Sequence, residues 1–141
     1  MFKVKDTIIS GMIAGLIGNL PKDIIAWSFH FAGVLRYTFT HIAAGYFVPA
    51  RFIDNPVSLA TGFIADYTTA AFFGFLMHLM LKRFGTDYAV IKGIGCGALL
   101  YLIFYGAFMA LDITRASLLT PLPNLLLIFP HMIYGGTTVS V

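Results

Sequence analysis

Four long apolar stretches constrain this chain more than any other feature. A transmembrane helix needs about 20 predominantly apolar residues, and stretches of that kind lie at about 7–35, 57–81, 88–111 and 116–136. Their lengths, and the lack of alternation between apolar and polar residues, favour helices over barrel strands. The sequence therefore predicts an all-α fold, in which residues 1–141 form one polytopic domain, a four-helix transmembrane bundle.

The composition indicates that lipid is the preferred solvent. Of the 141 residues, 59% are hydrophobic and 11% are charged, whereas soluble domains average about 25% charged residues. The net charge of +3 is scattered, and no basic run is longer than Lys82-Arg83, which argues against a nucleic-acid partner. The expected partners are membrane lipids, together with further copies of the chain or other membrane subunits.

The basic residues predict an orientation. Lys and Arg are enriched in cytoplasmic segments of membrane proteins. With a cytoplasmic N-terminus, the inner side holds five basic residues and the outer side three: Lys3, Lys5, Lys82, Arg83 and Lys92 against Arg36, Arg51 and Arg115. This bias predicts that both termini are cytoplasmic. Because no cleavage site and polar mature region follow the first stretch, we interpret it as a retained span.

The segment between the first two spans, residues 36–55, carries aromatic residues at helical spacing. It predicts a short interfacial or re-entrant helix on the outer face, ended by Pro49; an ordinary surface loop is the alternative. His41, Arg51 and Asp54 in this segment are interpreted as solvated loop residues, with a small surface constellation as the alternative.

Small residues mark the faces on which the spans are expected to pack. Without a hydrophobic drive between helices in lipid, small residues allow close backbone approach. The first span presents Gly11, Gly15 and Gly18 on the face that carries Lys22, and the second presents Gly62 and Gly74 on the face that carries Asp66; Gly93 and Gly97 lie on the third. The first two stripes are predicted to face each other.

That contact would bring two charges together inside the membrane. A charge at the bilayer centre costs about 2.5–3.5 kcal/mol on insertion scales, so it persists where it is paired or hydrated. We expect Lys22 to pair with Asp66 and Asp23 to turn to a third partner. Pro21 either breaks the helix into two halves beside an ion or substrate site, or forms a packed kink. A competing topology has a short first helix, residues 7–20, and a second span over 24–48.

The predicted intramembrane polar cluster comprises Lys22, Asp23, Asp66 and His131. His131 is either a proton-accepting member of the cluster or a packing histidine with a satisfied hydrogen bond. The histidines lie at unequal depths, which argues against a bis-histidine haem, and the single cysteine, Cys96, excludes a disulfide within the chain. We expect no metal, no cofactor and no enzymatic activity, since no catalytic motif is present.

Two halves of the chain carry similar glycine patterns. Ser10-Gly11-x-x-x-Gly15 opens the first span, and Lys92-Gly93-x-x-x-Gly97 opens the third. This suggests a tandem duplication of a two-helix unit with parallel halves, with chance similarity as the alternative.

The run from Ser10 to Gly15 followed by Lys22, together with the run from His41 to Gly45 and the pair Asp66-Tyr67, resembles small four-span bacterial proteins of unknown function, the YqhR and YagU kind. The resemblance implies a bacterial inner-membrane protein and no established activity. The first functional hypothesis is a non-enzymatic oligomer or a subunit of a membrane complex. The second is a small transporter or an ion- or proton-conducting protein that uses the Lys/Asp/His cluster.

Overall fold

The computed structural model describes residues 6–117 and 120–141. Over these residues the chain is helical and contains no strand. Three helices are long and apolar enough to cross a membrane: Thr7–Phe31, Pro56–Phe84 and Ala89–Ala110. The fold is therefore an all-helical bundle with the composition of a membrane protein, and Lys3 and Lys5 lie outside the described residues.

Helix α1, Thr7–Phe31, is capped at its N-terminus by Asp6, whose carboxylate accepts a hydrogen bond from Ile8 N at 2.8 Å. It runs through Pro21 without a break. Of the two alternatives for Pro21, the division into two half-helices is therefore wrong, and so is the competing topology with a helix ending at residue 20. The helix ends before residue 35 because Gly33 adopts a φ of 77°, a value that glycine tolerates at no steric cost.

A short buried helix, α2, Phe39–Ala44, follows, and then a 3₁₀ turn, Ala50–Phe52. All six residues of α2 are buried. The segment contains a short helix, as predicted, but it ends at Ala44 rather than at Pro49, and its interfacial or re-entrant position stays a prediction.

Helix α3, Pro56–Phe84, is capped by Asn55 and ends at Gly85, which adopts a φ of 83°. The third apolar stretch forms one 22-residue helical run made of three parts. These are α4, Ala89–Tyr101, a π-helical segment, Leu102–Ala107, and a last turn, α5, Phe108–Ala110.

The fourth apolar stretch, predicted at 116–136, forms two helices, α6, Pro121–Leu126, and α7, Ile128–Ser140. Neither is among the three helices long enough to span a membrane alone. The two helices divide at Leu127. Pro130 contributes to this break, because its missing N–H leaves the carbonyl of Leu126 without its helical partner.

Glycines determine how the helices pack. A Cβ on Gly11 would lie 2.7 Å from the Cα of Phe75, and one on Gly15 would lie 2.9 Å from the Cα of Gly74. These short separations place α1 directly against α3, as the glycine stripes predict. In the same way, Gly93 and Gly97 of α4 lie against the backbone of α7 at Gly135 and His131.

Two of the predicted packing glycines face other partners. Gly18 lies against Tyr134 and Thr138 of α7 rather than against α3, and Gly62 lies against Thr40 and Ala44 of α2 rather than against α1. Both differences have the same cause: α7 packs beside α1 and α2 packs beside α3. The two glycine stripes alone did not indicate these neighbours. Helix α1 thus packs between α3 and α7, and α7 packs between α1 and α4.

Candidate functional site

The contact between α1 and α3 brings a lysine and an aspartate together inside the bundle. The Lys22 Nζ atom lies 2.7 Å from Asp66 Oδ1, which is the pair that the sequence predicts. Asn19, one turn before Lys22 and therefore on the same helix face, donates from Nδ2 to Asp66 Oδ2 at 2.8 Å. Both carboxylate oxygens of Asp66 consequently accept a hydrogen bond from α1.

Asp23 belongs to the same cluster. Its Oδ1 atom lies 3.7 Å from Lys22 Nζ, and the side chain of Tyr67 on α3 lies beside it. Asp23 therefore has a third partner, Tyr67, as expected, and it also stays within 3.7 Å of Lys22. One ammonium group serves two carboxylates, an arrangement that leaves the three ionised groups with one excess negative charge.

Helix α2 adds an aromatic face to the lysine. The ring of Phe39 has its centroid 4.2 Å from Lys22 Nζ, within the distance at which a cation is attracted to an aromatic ring. Sequence reasoning missed Phe39, because a six-residue helix has too few turns to reveal which face is buried. The aromatic residues of this segment were the available signal, but they were used only to predict a short interfacial or re-entrant helix.

His131 is buried beside the cluster, with 6% of its surface exposed. Its Nδ1 lies 2.8 Å from the carbonyl oxygen of Leu127. A carbonyl only accepts hydrogen bonds, so Nδ1 carries the proton and Nε2 of the neutral ring carries a lone pair. The ring packs edge-on against Phe39 and Tyr105, with both centroids 5.0 Å away. His131 therefore packs with one satisfied nitrogen, as the second interpretation expects, and its role as a proton acceptor stays a prediction.

A cavity of about 190 Å³ adjoins these side chains. Lys22, Asn19 and Asp66 contribute the polar wall and His131 lies at one side. Aromatic and aliphatic residues from α2, α3, the π-helical segment and α7 form the remainder, among them Phe39, Ile42, Phe73, Phe104, Tyr105 and Tyr134. The charged pair therefore borders a partly open cavity instead of being sealed on all sides by packing.

The π-helical segment positions Tyr105 at this cavity. A π-helix inserts an extra residue into a helical turn, and such segments occur frequently at functional sites. Asn124 on α6 donates from Nδ2 to the carbonyl of Tyr105 at 3.5 Å and accepts from the Tyr101 hydroxyl at 2.7 Å. The amide side chain thereby bridges α6 and the irregular part of the third span, a link for which the sequence carries no local signal.

At the end of the bundle that holds α2, His41 is buried, with 3% of its surface exposed. The interpretation of His41 as a solvated loop residue is therefore wrong. Its Nδ1 accepts from Thr38 N at 3.1 Å, which caps α2, and its Nε2 lies 3.5 Å from the exposed Asp54. Burial, followed by the nearby His30, lowers the pKa of His41 below its ordinary value. Arg51 lies over the ring of Phe52 instead, 4.7 Å from its centroid.

No group of three or more side chains suited to metal binding is present within residues 6–117 and 120–141. The capping bond of His41 also places a lone pair on Nδ1 and the proton on Nε2. Neither nitrogen of this ring is then free to bind a metal ion in the arrangement seen.

These contacts define a buried Lys–Asp–Asn cluster at a cavity without assigning it an activity. No protein-family model matches the chain, and no curated protein and no solved structure shows significant similarity to it.

Proposed function

We propose that this chain is a small multi-pass transporter or channel that moves a small cation, protons included, through the cavity beside Lys22 and Asp66. The observation that carries the proposal is the position of the ion pair. The side chains of Lys22 and Asp66 are 7% and 13% exposed, yet both line the cavity. A buried pair that only joins two helices needs no open space beside it.

Intramembrane charged residues that face a cavity mark ion pathways and proton relays in many membrane proteins. When Asp23 is ionised, the cluster has an excess negative charge, because one lysine then serves two carboxylates. A group of this charge attracts cations and repels anions. The cluster thus favours cation movement over anion movement.

The proposal includes a fourth membrane crossing formed by α6 and α7 together. Residues 121–140 amount to 20 residues, interrupted at Leu127, and about 20 helical residues span the hydrocarbon core. Helix α7 packs along α1 and α4, as a member of the same bundle does. We further propose that Lys82, Arg83 and Lys92 lie on the cytoplasmic side of a bacterial inner membrane, and that both termini are cytoplasmic.

Purified protein in proteoliposomes tests the function. We expect a potassium diffusion potential to drive proton uptake, followed with an enclosed pH dye, and we expect Asp66→Asn to reduce it at least tenfold. Asp87→Asn is the matched control, because Asp87 is exposed in the α3–α4 loop. Equal rates of proton uptake for the wild type, Asp66→Asn and protein-free vesicles would contradict proton conduction. The same comparison with a sodium-sensitive dye tests whether the protein conducts sodium ions.

A second candidate function is a non-enzymatic oligomer or a subunit of a membrane complex. The observation that favours it is an apolar groove between α3 and α4, which touch each other little. Its lining includes Phe73, Leu76, Met77, Met80 and Leu99. Mass measurement in native nanodiscs tests this function, and a strictly monomeric mass would contradict a homo-oligomer.

A further inference from the structure

The neighbours of the Lys22 ammonium determine which ligands the cavity is able to bind. Nζ has Asp66 Oδ1 at 2.7 Å, Asp23 Oδ1 at 3.7 Å and the centroid of the Phe39 ring at 4.2 Å. An ammonium has three N–H donors, and here two carboxylates and one aromatic face surround it. An anionic ligand would have to displace one of these contacts in order to reach the lysine.

The charge of the cluster also selects against anions. When both acids are ionised, Lys22, Asp23 and Asp66 carry one positive and two negative charges, and their side chains are 7%, 10% and 13% exposed. In surroundings of low dielectric an uncompensated charge is costly. A bound cation near the carboxylates would neutralise the excess.

One polar group of the cavity wall that has no hydrogen-bond partner among the described residues is an acceptor. His131 lines the cavity and is 6% exposed, and its Nδ1 is occupied by the carbonyl of Leu127. Among the described residues, Nε2 has no hydrogen-bond partner, and it is not one of the fully occluded polar atoms. Nε2 is therefore an accessible acceptor on a residue that lines the cavity.

The rest of the wall is aromatic. Phe39, Phe73, Phe104, Tyr105 and Tyr134 contribute rings to the cavity, and aromatic faces attract ammonium groups. The volume of about 190 Å³ exceeds the roughly 150 Å³ of an engineered cavity that binds benzene. A ligand with one ring or a short hydrocarbon chain would fit.

We propose that the cavity binds a small protonated amine with an apolar body. The ammonium donates to His131 Nε2 and lies near the carboxylate of Asp66, and the apolar part packs against the rings. This inference rests on the proposed function, since it names the class of cation that the transporter would carry.

Binding to the protein in nanodiscs tests the ligand class. Three probes of nearly equal size differ in charge: benzylammonium, benzyl alcohol and benzoate. At pH 7 we expect benzylammonium to bind at least tenfold more tightly than either of the others, after subtraction of binding to protein-free nanodiscs. His131→Phe, which keeps a ring and removes the acceptor, should lower the affinity for benzylammonium at least fivefold.

His78→Phe is the matched control, because His78 does not line the cavity and its replacement should leave the affinity unchanged. If His131→Phe fails to fold, Phe39→Leu, which removes one aromatic wall, should lower the affinity instead. Equal affinity for the three probes, or a preference for benzoate, would overturn the proposal.

The two proposals fail separately. If proton flux depends on Asp66 but amines do not bind selectively, the proposed ligand class is disproved and the transport function still stands. If amines bind selectively but no flux is measured, the proposed binding site still stands and the transport function is disproved.

Discussion

At the residue scale, the chemistry of this molecule depends on one ammonium shared by two carboxylates. Lys22 contacts Asp66 at 2.7 Å and Asp23 at 3.7 Å. The two acids are therefore not equivalent, since Asp66 also accepts from Asn19. Removing the lysine leaves two carboxylates without a cation, whereas neutralising Asp66 leaves Lys22 with Asp23.

This asymmetry predicts that Lys22→Met destabilises the protein more than Asp66→Asn does. An unpaired charge at the bilayer centre costs about 2.5–3.5 kcal/mol, so we expect a difference of about that size between the two variants. Thermal unfolding of both variants in one detergent measures it, with Asp87→Asn as a control that should match the wild type. Equal losses would show that Asp23 does not take over the lysine.

A second prediction at this scale concerns acid. His41 caps α2 as a neutral acceptor, and its pKa is lowered in the folded protein. The unfolded chain therefore binds a proton first as pH falls below about 6.5, so the folded state is unaffected above that pH and loses stability below it. Protonated Nδ1 would also be a donor facing the Thr38 N–H.

We expect the melting temperature to fall between pH 6.5 and pH 5, and we expect the fall to be smaller in His41→Gln. Glutamine at this position is an acceptor that does not titrate, and it completes the usual capping box with Thr38. The exposed Asp54 beside Nε2 opposes the effect in part. An identical pH profile in both proteins would rule out His41 as its source.

At the element scale, helices approach one another wherever glycine removes the side chain. The pairs α1–α3 and α4–α7 use the same pattern, in which two glycines four residues apart lie on the backbone of the partner. In the first pair Gly15 lies on Ala70, and in the second Gly97 lies on His131. The two-helix duplication stays a prediction, since close packing at glycines also arises without it.

Helix α4 offers a matched test of this packing. A Cβ at Gly97 would collide with the carbonyl of His131, whereas a Cβ at Gly95 would meet nothing within 4 Å. Gly97→Ala should therefore separate α4 from α7 and lower the melting temperature. Gly95→Ala should leave it unchanged or raise it, because alanine favours a helix by up to about 1 kcal/mol over glycine. Similar behaviour of the two variants would contradict the contact.

The π-helical segment predicts a coupling between two elements. Asn124 binds both the Tyr101 hydroxyl and the Tyr105 carbonyl, and leaving a buried polar group unpaired costs about 1–3 kcal/mol. We expect Asn124→Leu and Tyr101→Phe to be less harmful together than the sum of the two single variants. A double-mutant cycle of unfolding free energies measures the coupling, and strict additivity would show that the bridge is not formed.

At the scale of the whole molecule, the parts that could be predicted are those with a repeating pattern. The long apolar stretches indicated the three helices that are long and apolar enough to cross a membrane. The spacing of small residues indicated which faces of α1 and α3 meet, so the contact of Lys22 with Asp66 followed. The buried α2, the π-helical segment and the bond from Asn124 to Tyr101 have no such period. They depend on contacts between residues far apart in the chain, such as that of Thr114 Oγ1 with the carbonyl of Ile42 at 2.7 Å.

The proposed arrangement of four crossings makes a prediction about the two faces of the membrane. In a Cys96→Ser background, single cysteines at the exposed positions Asp54→Cys, Asp87→Cys and Val141→Cys report on the α2 side, the α3–α4 loop and the C-terminus. Because positive charges stay in the cytoplasm and α6–α7 cross once more, an impermeant maleimide should label only position 54 in intact cells. Positions 87 and 141 should react after permeabilisation. Labelling of 54 and 141 together would mean that α6 and α7 do not cross, and labelling of 87 and 141 without 54 would mean that the orientation is inverted.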